Sequence, residues 1–224
     1  MIEQEINMEI NENEEGCLKN RSTAIHEAGH AVVAWYMRCR VYKAEIKTGD
    51  EPLVDLKGES DNEVIGWVFS DQGVFTGNGE FWKPETEADL FIARYYRGKI
   101  DMALPVCFAG VVAESVYTGE SIDELLKNGG RRDAEDISKL LSVLRKMGDS
   151  EDEILSVRDE ALNTAKIIVE RLWWEITGIA MILLRWEILH DDEFYYYMKL
   201  FTRSERYPST PRISIQPSTT GTTI

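Results

Sequence analysis

Residues 23–33 read TAIHEAGHAVV, and this stretch organises the interpretation of the whole chain. Its apolar residues recur at the spacing of one helix face, and Ser22 or Thr23 can cap the first turn. We therefore expect a helix that runs from here through His26 to about Arg38.

Small residues inside this helix suggest close packing. Gly29 lies within it, next to Ala28 and two residues before Ala31. A glycine in a helix interior costs about 1 kcal/mol relative to alanine, so a compensating reason is expected. We expect another element to pack tightly against this side of the helix.

The same helix carries the pattern His-Glu-x-x-His. His26 and His30 are four residues apart and so lie on one helix face, where both imidazoles can reach one Zn²⁺ at about 2.0–2.1 Å. Glu27 lies at the rim and can take a proton from a zinc-activated water and return it to a leaving amine. The chain has only three histidines, so two in this pattern favour a metal site over a surface helix that carries them by chance.

Length and composition describe a globular protein with one main core. The chain has 224 residues, of which 43% are hydrophobic and 10% aromatic. Its formal net charge of −15 makes nucleic acid and anionic membrane surfaces poor partners. The three cysteines form no CxxC pair and the N-terminal segment has no apolar stretch, so we expect a cytoplasmic protein.

One apolar segment, residues 167–189, raises the question of a membrane span. Charged residues interrupt it, and its longest uncharged run, residues 176–184, is nine residues long. A bilayer span needs about 20 apolar residues. We therefore expect a buried helix and no membrane insertion.

The predicted fold class is α+β, mainly α-helical, with a zinc-peptidase helical core and a small β-sheet inserted after the HExxH helix. Apolar runs separated by turn signals between Val41 and Phe75 predict two to four strands. Periodicity predicts helices over 85–98, 100–117, 132–147, 151–190 with at most one break, and 193–201.

Composition divides the chain into three parts. Residues 1–18 form an acidic, Asn-rich lead-in that we expect to be flexible. Residues 19–201 form the predicted zinc peptidase domain. Residues 202–224 are rich in Ser, Thr and Pro and are predicted to be a disordered tail.

Several motifs resemble one family. Residues 26–35, HEAGHAVVAW, look like the active-site helix of FtsH-type zinc peptidases, the proteolytic domain of membrane-anchored AAA proteases. Residues 109–114, AGVVAE, are similar to that family's Gly-Gly-Arg-x-Ala-Glu helix, and residues 129–137, GGRRDAEDI, to its Gly-Ala-Ser-Asn-Asp-Leu-x-x-Ala segment. Residues 66–68 stand where the family has a strand beside the substrate cleft. The similarity covers about residues 21–189, and the first motif is the specific one.

The resemblance implies a third metal ligand. In that family an aspartate at the start of a helix completes the zinc site, and the matching position here is Asp133. An acidic residue just after a Gly-Gly turn can be directed inward by the helix that it begins. Glu135, Asp136 and Glu114 remain alternatives.

Other polar and aromatic residues allow two interpretations. Glu114, in an otherwise apolar helix, either orients a histidine or faces solvent. His190 is interpreted as a charge near a helix C-terminus and not as a ligand. The cluster Tyr195–Tyr197 is interpreted as packing and not as a substrate platform.

The chain departs from the family in two ways. It contains no GxxxxGK[S/T] motif, and Val111 stands where the family has arginine. Only 25 residues precede His26 in this sequence, so we do not expect the family's ATPase module and transmembrane helices before the peptidase motif. ATP dependence, membrane location and the hexameric ring are therefore not carried over.

The sequence predicts a zinc-dependent endopeptidase that cleaves unfolded or flexible polypeptides, alone or with a separate ATPase. It is compatible with a homo-oligomer. Two alternatives remain open. One is a non-catalytic interaction module on a peptidase scaffold, against which the presence of Glu27 argues. The other is a regulatory protease specific for one partner protein, such as a repressor.

Overall fold

The protein is mainly helical, with two small antiparallel sheets. The structure, a computed structural model, describes residues 21–47, 53–54, 60–61, 66–70 and 87–203. Within them the predicted α+β, mainly α-helical class is confirmed. The predicted lead-in, residues 1–18, lies outside the described residues, as do residues 204–224 of the predicted tail.

The described chain begins with helix α1, residues 21–36. It ends in a turn where Arg38 adopts a left-handed conformation, with φ of 64°. Its inner face is apolar and buried, which explains why the sequence pattern predicted it. Four strands follow α1: β1 Val41–Ile46, β2 Leu53–Val54, β3 Ser60–Asp61 and β4 Gly66–Ser70.

The rest of the described chain forms six helices and one short strand, joined by short turns. Its elements are α2 Glu87–Thr118, α3 Ile122–Leu125, α4 Arg131–Met147, α5 Glu151–Arg171, α6 Trp173–Trp186, β5 Ile188–His190 and α7 Asp191–Arg203.

Helix α2 is continuous, so the predicted interruption near Gly98 was wrong. A glycine costs a helix only about 1 kcal/mol. Ile100, Leu104 and Phe108 are completely buried just beyond it, and burying side chains of this size stabilises by about 1.5–3 kcal/mol each. Burial of these side chains therefore outweighs the low helix propensity of Gly98.

The central part of α2 is a long apolar stretch. Its stretch Tyr95–Thr118 is long and apolar enough to cross a bilayer. Most of that stretch is buried inside the protein, and α2 packs against α5, α4 and α3. The same hydrophobicity is thus accounted for by a position in the core.

The predicted helix over 151–190 is divided, and its last part is not helical. Helices α5 and α6 meet at Leu172, and α6 ends at Glu187, which has φ of 63°. The next three residues form β5, antiparallel to β1. The helix prediction up to His190 was therefore wrong, because a partner distant in sequence determines so short a strand.

The larger sheet has the strand order β4-β1-β5, with both pairs antiparallel. Strands β2 and β3 form a separate antiparallel pair. Among the described residues β4 pairs only with β1, so its other side is an edge. The sheet is therefore not a purely local insertion after α1, since β5 comes from the C-terminal half.

The tyrosine cluster in α7 mostly packs against the protein. Tyr195 and Tyr197 lie against the core, and the Tyr195 hydroxyl accepts a hydrogen bond from the Val41 N–H at 3.3 Å. Tyr196 is exposed. The packing interpretation thus describes two of the three side chains.

Helices α1 and α2 approach closely at Gly29. A Cβ atom built there would lie 2.7 Å from the Ala109 carbonyl oxygen and 2.7 Å from the Ala113 Cβ, too close for any side chain. This contact is the packing reason expected for a glycine inside α1. It brings the face of α1 that carries His26 and His30 against α2.

Candidate metal centre

The two histidines of α1 direct one ring nitrogen each toward a common point. The Nε2 atoms of His26 and His30 lie 3.1 Å apart. Both side chains are only 12% exposed. The spacing of four residues on a helix produces this arrangement, as the sequence predicted.

Helix α4 places Asp133 opposite the two histidines. Asp133 Oδ2 lies 3.0 Å from His26 Nε2, and Oδ1 lies 3.2 Å from His30 Nε2. Asp133 stands in the first turn of α4, directly after the Gly129-Gly130 turn. A Cβ atom at Gly130 would overlap Val111 of α2, so the glycine allows the start of α4 to approach the site.

The outer nitrogen of each imidazole is held by an acceptor on α2. His26 Nδ1 lies 2.8 Å from Glu114 Oε2, and His30 Nδ1 lies 2.7 Å from the Val106 carbonyl oxygen. A carbonyl accepts but does not donate, and neither does an ionised carboxylate, so both Nδ1 atoms carry the proton. The Nε2 lone pairs then point inward, the arrangement of a histidine that ligates a metal.

These three side chains fit a single metal ion. Their ligand atoms all lie within 4.8 Å of one another. Donors at about 2.0–2.2 Å from a tetrahedral ion are separated by about 3.3 Å, close to the distances between the ring nitrogens and the carboxylate. Asp133 Oδ2 is buried and receives no hydrogen bond, and a cation would satisfy it. The group His26, His30 and Asp133 can therefore bind a metal ion.

The charged groups at this centre shift one another's pKa values. Burial lowers the pKa of His26, but the charge of Asp133 and the bond to Glu114 outweigh it and raise the pKa well above its usual value. The pKa of His30 is raised against burial mainly by Asp133. Burial raises the pKa of Asp133, yet the two histidines hold it well below its usual value. The carboxylate thus stays ionised, as a metal ligand requires.

Glu27 lies beside this centre and is 7% exposed. Burial raises its pKa to about 7, against the lowering effect of His26 and His30. A group of this pKa can accept and release a proton near neutral pH. The backbone of β4 closes over it at Gly66, where a Cβ atom would overlap the Glu27 carboxyl group.

A third glycine opens the space in front of the histidines. A Cβ atom at Gly110 of α2 would overlap both Nε2 atoms. The absence of a side chain at this position therefore leaves room at the point toward which both imidazoles are directed.

The structure separates the alternatives for the third ligand. Glu135 is exposed and lies near Arg131, and Asp136 pairs with Lys139. Glu114 contacts the outer nitrogen of His26 and not the inner one. Of the four acidic residues considered from the sequence, only Asp133 joins the cluster.

Glu114 is partly buried and its carboxylate contacts His26 Nδ1, so the first of its two interpretations matches the structure. His190 lies on β5, just before α7 begins, so its placement near a helix C-terminus was wrong. It is not part of the described metal-ligand group.

Sequence reasoning did not identify Val106, Gly110 or Ser22 as part of the site. A backbone carbonyl leaves no sequence signal, so Val106 could not have been found. Ser22 lies four residues before His26, a spacing that places both on one face of a helix. Gly110 follows Ala109, and two small residues in a helix indicate a close approach to another element. Comparison with models of known protein families and with curated proteins finds no match to this chain.

Proposed function

We propose that this chain is a zinc-dependent endopeptidase. The observation that carries the proposal is the joint placement of His26, His30 and Asp133 around one point with the buried Glu27 beside it. The cluster supplies a metal site with three protein ligands. The neighbouring carboxyl group supplies an acid and base with a pKa near neutrality.

Zinc is the ion that this donor set and its neighbour favour. Two imidazoles and one carboxylate leave a fourth position open, as in catalytic zinc sites. Two histidines and a carboxylate also suit iron(II), but a glutamate placed next to a ligand favours hydrolysis. A zinc ion held there would polarise the carbonyl of the scissile peptide bond and lower the pKa of a water molecule to about 7.

Glu27 is positioned to handle the protons of the reaction. In its ionised form it accepts a proton from the attacking water, and in its protonated form it donates that proton to the leaving amine. Burial keeps the two forms close in energy at neutral pH, since it raises the pKa to about 7. Peptide hydrolysis requires one group to act first as a base and then as an acid in this way.

The edge strand β4 suits an extended polypeptide as the substrate. Its Gly66 end lies against Glu27, and within the described residues β4 pairs on one side only. A peptide that adds to such an edge is held by main-chain hydrogen bonds and must be extended. Unfolded or flexible polypeptides meet that condition, and a separate ATPase could supply them from folded proteins.

The test measures metal content and peptide hydrolysis on the same preparation of the wild type and of Glu27→Gln. We expect about one zinc per chain in both and a loss of at least about 100-fold in hydrolysis in the variant. Glutamine is nearly isosteric but cannot take the proton. The control is Glu170→Gln, which alters an exposed glutamate of α5 and should leave both quantities unchanged.

Two results would contradict the proposal. A wild-type protein that takes up no zinc would remove the metal site, and undiminished hydrolysis in Glu27→Gln would remove the assigned base. Zinc binding without hydrolysis of any unfolded substrate would favour a protease restricted to one partner or a non-catalytic interaction module.

A further inference from the structure

Ser22 lies one helical turn before His26 on the same face of α1. Residues 22, 26 and 30 are spaced by four, so they form one row along the helix. The Ser22 hydroxyl donates a hydrogen bond to Glu114 Oε1 at 2.6 Å. The other oxygen of the same carboxylate faces His26 Nδ1 at 2.8 Å.

The Glu114 carboxylate is therefore held at both oxygens by one face of α1. A carboxylate bound at a single oxygen can still rotate about its terminal bond, because that torsion is soft. With Ser22 on Oε1, such a rotation breaks a second hydrogen bond. Glu114 is then fixed in the orientation that keeps its Oε2 on His26.

We propose that Ser22 is a positioning residue of the metal centre, acting through Glu114 to fix the proton of His26 on Nδ1 and to direct Nε2 inward. This inference rests on the proposed function only in assuming that His26 is a ligand. Partners of ligating histidines typically change metal affinity by about 10–100-fold when they are removed. Ser22 bonds Glu114 and not His26 itself, so we expect its removal to weaken metal affinity by a smaller factor, about threefold to tenfold.

The first experiment measures zinc affinity by competition with a chromophoric chelator. Ser22→Ala should weaken binding about threefold to tenfold, whereas Ser22→Thr keeps the hydroxyl and should remain within about twofold of the wild type. The matched control is Ser142→Ala on α4, whose hydroxyl bonds only the Lys139 carbonyl and should have no effect.

A double-mutant comparison separates positioning from a general loss of structure. In a Glu114→Gln background, Ser22→Ala should produce no further loss of zinc affinity, because its effect passes through the carboxylate. An equal loss in both backgrounds would overturn the proposal. So would a Ser22→Ala variant that binds zinc as the wild type does.

A second readout needs neither metal nor catalysis. Nitrogen-15 NMR of the histidine side chains, in zinc-stripped protein at a pH where both imidazoles are neutral, reports which ring nitrogen carries the proton. Ser22→Ala should shift His26 toward the Nε2-protonated form, which can bond Asp133 instead. An unchanged proton position would overturn the proposal. If the wild type binds no zinc, the proposed function fails, but this measurement still tests whether Ser22 fixes the proton position on His26.

Discussion

Gly66 lies directly against the carboxyl group of Glu27, so closely that a methyl group at position 66 would overlap the Glu27 side chain. Strand β4 thereby touches the proposed catalytic base, whereas the residues of the metal-ligand group come from α1 and α4. This contact allows catalysis to be altered separately from metal binding.

We predict that Gly66→Ala displaces Glu27 and lowers peptide hydrolysis by at least about tenfold, since general acid–base catalysis contributes typically 10²–10⁴-fold. Zinc content should stay at the wild-type level, because the ligands come from α1 and α4. Gly98→Ala is the control, since a Cβ atom there meets nothing within 4 Å. Equal activity in the two variants would contradict the prediction.

Asp133 is the acidic residue expected to control metal affinity. Asp133→Asn removes the charge and keeps the shape of the side chain. Residues that only hydrogen-bond to a metal ligand change metal affinity by up to about 100-fold when they are mutated. Asp133 is a proposed ligand itself, so we expect zinc affinity to fall by more than about 100-fold. Asp136→Asn and Glu135→Gln change neighbouring carboxylates outside the cluster and should stay within about threefold. Chelator competition measures all three. A loss in Asp136→Asn as large as in Asp133→Asn would show that the ligand is misassigned.

Zinc binding should weaken as the pH falls. The pKa values of His26 and His30 are both raised, and each imidazole must lose its proton to ligate a metal. Below those pKa values each bound proton should reduce the affinity about tenfold per pH unit. Asp133 adds no such dependence near neutrality, because its pKa is lowered. Affinities that stay constant between about pH 6 and pH 8 would contradict this linkage.

Glu175 should destabilise the protein at neutral pH. Its side chain is on α6, the residue is 1% exposed, Oε2 receives no hydrogen bond, and burial raises its pKa. A carboxyl group whose pKa is raised on folding does not lower the stability at a pH below the pKa that the same group has in the unfolded chain. Its contribution to stability is lost as the pH rises through the folded-state value.

Glu175→Gln cannot ionise, so we expect it to unfold at higher denaturant than the wild type at pH 7, by on the order of 1 kcal/mol. The difference should shrink toward about pH 4, where the wild-type carboxyl group is protonated in both states. Glu170→Gln at the exposed end of α5 serves as the control. A variant that is less stable than the wild type at pH 7 would contradict the prediction.

Helix positions and the histidine pair could be predicted from the sequence, whereas the helix ends and the short strand could not. Periodicity over many residues identified the elements that became α1, α4 and α5, because each buries one continuous apolar face. The continuity of α2 past Gly98 and the pairing of β5 with β1 depend on contacts between residues far apart in the chain. Local patterns carry no information on such contacts.

What the sequence by itself determined is the part of the site built within one helix. The interval of four residues fixes His26 and His30 on one face of α1 whatever surrounds them. The resemblance implied Asp133, with Glu135, Asp136 and Glu114 as alternatives, and the sequence left two interpretations for Glu114. The tertiary structure decided between these alternatives and supplied the Val106 carbonyl. The physical reason is that a metal site needs donors within a few ångströms of one point, and three separate helices meet there only because glycines allow their backbones to approach closely.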